Sequence, residues 1–129
     1  MSKPLAVALV VFAMAAAAAP AFAAGDAAHG KSLFQDRCGL CHTGAPGDGD
    51  GGQGPDLWGL VGRKAASAPG FGYTPALKAS NLTWTPATLD TFLTAPAKAV
   101  PGTAMPVSTP NPKDRADLIA YLASLTGKH

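Results

Sequence analysis

Apolar residues recur at helical spacing in short stretches of this chain, and long glycine- and proline-rich segments separate them. The first stretch begins at Gly25-Asp26, where Asp26 stands as the N-cap and Ala27, Gly30, Leu33 and Phe34 follow on one face. Gly30 is the odd member, because a glycine in mid-helix costs about 1 kcal/mol relative to alanine and so points to close approach by another backbone. Three later starts share one device: Thr74-Pro75, Thr85-Pro86 and Asn111-Pro112. In each, a side chain able to cap precedes a proline, whose fixed φ suits the first helical position and pushes its predecessor towards extended geometry. The first predicts a short helix through Leu77 and Lys78. The second predicts one with Leu89, Phe92 and Leu93 inward, stopping before Pro96, and the third a helix from Pro112 towards Thr126. That third helix turns Leu118, Tyr121, Leu122 and Leu125 to one side, with Gly127 as its stop. No alternating pattern of useful length appears, so the expected class is all-α with long loops.

Between these elements the chain is irregular. Residues 43–56 form a polar, glycine-rich loop, in which Asp48-Gly49-Asp50 hints at a calcium site but lacks the later acids and the closing glutamate that such a loop requires. Leu57 to Arg63 is apolar with glycines that favour a tight turn, and Ala68 to Tyr73 is a second irregular stretch. At the N-terminus Lys3 precedes an unbroken apolar run from Leu5 to Ala19, which ends in Ala21-Phe22-Ala23. This is a signal-peptidase pattern, so residues 1–23 are expected to be removed, leaving 24–129 as one domain. The rival reading is an uncleaved membrane anchor; weakly hydrophobic alanine and Pro20 weigh against it.

The formal charge of +2 falls to +1 once Lys3 is lost, which offers no basic stripe for nucleic acid. The two cysteines lie so close that a disulfide between them would close a loop too small to stabilise much.

Those cysteines stand in Cys38-Gly39-Leu40-Cys41-His42, a Cys-x-x-Cys-His run that reads as a c-type haem attachment site. Two thiols one helical turn apart can each add across a vinyl group of one porphyrin, and the following imidazole then lies under the iron. A redox disulfide of the thioredoxin kind needs a βαβ setting, and no strand-rich pattern precedes Cys38. A structural zinc site needs four ligands, and the other imidazoles, His29 and His129, are not at finger spacing. A covalently held porphyrin would also act as a staple for a core of this size.

Iron held by His42 needs a sixth ligand or an open position. Of three methionines, Met1 and Met14 leave with the signal peptide, which leaves Met105. A lone methionine ordinarily fills a core gap. This one sits off any amphipathic face, between Pro101 and Pro106, in a chain that already wants a soft ligand, and axial ligation is the expectation.

The mature chain resembles the class I cytochromes c, in particular the mitochondrial-type and bacterial cytochrome c2 branch. The matching pieces are Gly30-Lys31-x-Leu33-Phe34, Cys38-x-x-Cys41-His42-Thr43, Gly54-Pro55-x-Leu57-x-Gly59-Leu60-x-Gly62-Arg63, Ala68-Pro69-Gly70-Phe71-x-Tyr73, Leu82-Thr83-Trp84, Pro101-Gly102-Thr103-x-Met105 and Arg115-x-Asp117-Leu118-Ile119-Ala120-Tyr121-Leu122. The resemblance implies about four to five short helices and long loops wrapped around one covalent haem c. It implies that Gly30 marks the crossing of the first and last helices near Leu118, with Phe34 and Tyr121 beside it. The Pro55 carbonyl would accept from the His42 ring, Arg63, Tyr73 and Trp84 would surround a propionate, and Thr103 would join the haem contacts.

The function so implied is a periplasmic, monomeric one-electron carrier with His42 and Met105 on the iron. Its partners would be a bc1-type complex, a terminal oxidase or a periplasmic dehydrogenase. The alternatives are a haem subunit dedicated to one such enzyme, and a haem sensor or enzyme whose sixth ligand is displaceable. The chain departs from the family in having Phe92 where a tyrosine is frequent near the methionine sulfur, and Ala97 and Ala104 where lysines are common. Positive charge around the haem edge is thereby thinned to Arg37, Lys98 and Lys64, and weak electrostatic steering is expected.

Overall fold

A computed structural model describes residues 24–46 and 52–126. The expected signal segment at residues 1–23, the Asp48-Gly49-Asp50 motif and the expected stop at Gly127 lie outside the described residues. Five helices follow in order: α1 (Ala27–Arg37), α2 (Pro75–Ala79), α3 (Pro86–Thr94), α4 (Pro96–Ala99) and α5 (Pro112–Ser124). The regular pairing of extended chain among these residues is one antiparallel bridge, Lys64 with Thr83. No helix among them is long and apolar enough to cross a membrane.

The helix starts form as their sequences dictate. Asp26 accepts from the amides of Ala28 (2.9 Å) and His29 (3.1 Å). Thr74 caps Leu77, Asn111 caps Lys113 and Asp114, and Thr85 exchanges bonds reciprocally with Thr88. Each cap satisfies amides that have no partner within the helix, a contribution of about 1 kcal/mol. α3 ends at Thr94, before Pro96, but that proline starts α4, a single turn without a side-chain cap that the hydrophobic pattern does not predict.

α1 and α5 pack against each other so closely that glycines are required. A methyl built on Gly30 would overlap the Asp117 carbonyl, and one on Gly25 would overlap that of Ala116. Phe34 and Tyr121 meet beside this crossing with ring centroids 5.3 Å apart. Leu33, Phe34, Leu118, Ile119 and Leu122 continue the seam into a core shared with Leu60, Trp84, Leu89, Phe92, Leu93 and Val100.

One buried carboxylate locks the seam. Asp117 accepts from the Asp26 amide, His29 Nδ1 and Lys113 Nζ, each at 2.7 Å. The Lys113 hydrogen bond above all, with those from Asp26 and His29, holds its carboxyl well below the usual carboxylate range against the opposing effect of burial.

Two outcomes follow. Gly30→Ala forces the helices apart and should cost about 3 kcal/mol or more in denaturant unfolding, the upper end for overpacking, because backbone cannot swing aside. Asp117 binds its proton more weakly folded than unfolded. Its stabilisation is therefore complete above the ordinary carboxyl value of 3.8 and is withdrawn as pH falls below it. Asp117→Asn should lower the melting temperature at neutral pH and flatten its decline in acid.

Candidate functional site

α1 runs directly into the cysteine pair. Cys38 and Gly39 donate their amides to the Phe34 carbonyl (2.8 Å each), and Cys41 (3.0 Å) and His42 (2.9 Å) donate to that of Cys38. This wraps Cys38 to His42 into one turn. Both thiols are half-buried and neither is in a disulfide. Burial pushes the Cys38 thiol up, opposed by the Arg37 charge and reinforced by Cys41.

The His42 ring lies 2.7 Å through Nδ1 from the Pro55 carbonyl oxygen. A carbonyl can only accept, so Nδ1 carries the proton and Nε2 keeps its lone pair for a ligand. Burial lowers the ring's pKa, with the Pro55 bond opposing, so the imidazole is neutral at neutral pH. The loop supplying Pro55 is bonded alongside: Gly54 donates to the Cys41 carbonyl (2.9 Å) and Leu57 to Thr43 (2.8 Å). A methyl on Gly54 would lie 2.7 Å from His42 Nδ1 and 2.9 Å from Nε2, so only glycine lets this loop lie flat on the ring.

Arg63, Tyr73 and Trp84 form a second group. Arg63 donates through Nη1 to the Trp58 carbonyl and through Nη2 to that of Asp56, both at 2.9 Å, and Nη1 lies 3.7 Å from the Asp56 carboxylate. Backbone bonds from Gly62 to Trp84 (2.7 Å) and from Trp84 to Arg63 (2.9 Å) join the two segments. Trp84 is buried edge-on to Phe92 at 5.1 Å. The Tyr73 hydroxyl accepts from the Ala68 amide at 3.1 Å. Burial pushes its phenol up, while that hydrogen bond and the Arg63 charge favour the ionised form.

Thr103 and Met105 follow in the chain between α4 and α5. Thr103 donates to the Val100 carbonyl (3.0 Å) across a turn in which Gly102 has φ 92°, and its hydroxyl accepts from the Met105 amide at 3.5 Å. Met105 is half-buried against the core. Four buried polar residues among those described, Asp56, Thr109, Arg115 and Asp117, escape a reading by hydrophobic period; for Asp56 the available signal is the Gly54-Pro55-Asp56 run shortly before Arg63.

The family described as cytochrome c matches residues 27–126. The chain belongs to the cytochrome c family. Cytochrome c2 of Rhodomicrobium vannielii is 48% identical over 111 residues, covering 85% of this chain and 87% of the relative. Cytochrome c2 of Rhodopila globiformis is 44% identical, covering 78% and 94%. Among solved structures, cytochrome cH from Methylobacterium extorquens superposes with a TM-score of 0.70 at 43% identity, over 78% of this chain and 99% of that one. The chain is thus a monohaem electron-transfer protein of the class I fold whose cofactor is one haem c. The donor set fits that group: two unpaired thiols one turn apart, a neutral imidazole with Nε2 uncommitted, and a thioether on a turn-bounded segment.

Glycines with and without neighbours should separate in thermal unfolding of the haem-loaded protein. Gly54→Ala, which presses on His42, should cost about 1–3 kcal/mol. Gly72→Ala, with nothing within 4 Å, should stay within about 0.5 kcal/mol.

Proposed function

We propose that this is an exported carrier that loses residues 1–23 and works in the periplasm as a monomer, moving one electron at a time between redox proteins. A bc1-type complex, a terminal oxidase or a periplasmic dehydrogenase would serve as partner. The haem is held through Cys38 and Cys41, with His42 and Met105 as axial ligands, and it supplies the one-electron couple. The observation that carries the reading is the half-buried, neutral His42 whose Nδ1–H is committed to the Pro55 carbonyl, because this fixes both tautomer and ring orientation before any ligand is met.

The remaining residues do the work of a carrier by holding still. The Asp56–Arg63 pair and the backbone bonds to Trp84 fix the segment that, with Tyr73, is assigned to a haem propionate, while Thr103 is assigned to the other haem contacts. A methionine opposite histidine favours the reduced state relative to two histidines, which suits a carrier accepting from donors of modest potential.

The surface supports weakly steered docking. Arg37 lies 3.0 Å from Asp114, so its charge is offset, and Leu40 next to Cys41 is 86% exposed.

Met105→Ala should abolish the weak far-red sulfur-to-iron absorption of the ferric protein while haem stays attached, and Cys41→Ser should reduce attachment itself. An unchanged far-red band in Met105→Ala would refute the ligand assignment. Electron exchange with a redox partner, followed by stopped flow, should change less than about threefold as the Debye length shrinks from about 30 to about 8 Å; a steep fall would show that charge steers docking.

A further inference from the structure

Arg115 is charged, buried and unused by the haem contacts. It stands near the start of α5, and all three hydrogen bonds of its guanidinium leave that helix. Nε donates to the Asp90 carboxylate of α3 at 2.7 Å. Nη1 donates to the carbonyls of Thr109 (3.1 Å) and Pro110 (2.7 Å). Thr109 is itself buried, and its amide donates to the Leu93 carbonyl of α3 at 2.7 Å.

These bonds form a knot at the far end of the segment that leaves Met105. At the near end stands the Val100–Thr103 turn; between the two, Pro106, Val107 and Ser108 are exposed. Met105 is thus carried on a short span with two anchorages, and the distal one is built around a single guanidinium. Arginine suits it because a planar fork can meet one carboxylate and two carbonyls in a fixed arrangement, which an ammonium cannot copy.

We propose that Arg115 is a positioning residue for the sixth ligand, holding residues 105–110 down on α3 so that Met105 stays on the iron and outside ligands are kept off it. The proposal rests on the reading of Met105 as that ligand. An exogenous ligand binds only the fraction of molecules in which the segment has opened, so its apparent affinity reports that fraction directly.

The test is imidazole binding to the ferric, haem-loaded protein, followed by loss of the far-red band. Arg115→Met and Arg115→Lys should each bind imidazole about tenfold more tightly than wild type, and Asp90→Asn should move the same way by less. Asp117→Asn loosens the side of α5 whose bonds run to Asp26 and His29 at the start of α1, and should leave imidazole affinity unchanged even where its melting temperature falls as far. Equal tightening in Asp117→Asn would reduce Arg115 to general stability and overturn the proposal, as would wild-type affinity in Arg115→Lys.

A wild-type measurement stands independently of how the variants fold. The Thr109 amide should exchange with solvent through an opening as frequent as that which admits imidazole. Exchange only through global unfolding, with imidazole entering far more readily, would also overturn the proposal. A wild-type protein with no far-red band would instead refute Met105 ligation, which separates the two failures.

Discussion

The close contact of α1 with α5 is the constraint on which the other features rest. Gly30 and Gly25 bring two backbones together where a single methyl would keep them apart, and Asp117 ties the start of α1 to that contact with two hydrogen bonds, from Asp26 and His29. Because α1 passes without interruption into the Cys38–His42 turn, fixing the helix fixes where the thiols and the imidazole emerge. The far end of α5 reaches the same region, since Gly59 donates to the Leu125 carbonyl at 2.8 Å and so moors the loop that carries Pro55 and Arg63. One helix pair therefore positions both sides of the proximal site.

Around this frame the loops are held by polar commitments more than by regular structure. His42 with Pro55, Arg63 with Asp56, and Arg115 with Asp90, Thr109 and Pro110 are each buried or half-buried groups paired within a loop or between a loop and another segment. Leaving such a group unpaired costs about 1–3 kcal/mol, so these contacts act as locks on long loops that have few backbone bonds of their own. A carrier gains from this stiffness, because ligands that do not move on electron transfer keep the barrier low.

Much of this was legible from residue type and spacing. The Thr-Pro and Asn-Pro starts predicted three helices because the proline and its predecessor act locally, whatever the tertiary context. Gly30 announced a close approach because a glycine in mid-helix has no local use. The Cys38–His42 run and the isolation of Met105 marked the candidate site. What stayed hidden is non-local. α4 is four residues long with no cap of its own, too short for any period to register. Asp117 and Arg115 count as polar positions in a helical pattern and would be placed outward; they are buried because partners distant in sequence meet them. Gly25 lies outside the helix it helps to pack and carries no period at all.

The central claim is that His42 and Met105 together hold the iron of a closed, six-coordinate carrier. The most direct measurement is the proton NMR spectrum of the ferrous, haem-loaded protein without residues 1–23. Its single methionine, ligated over the haem face, predicts one three-proton singlet shifted far upfield by the porphyrin ring current. A methionine methyl resonance at its ordinary position, accompanied by rapid carbon monoxide binding at neutral pH, would contradict the claim and leave His42 opposite an open site.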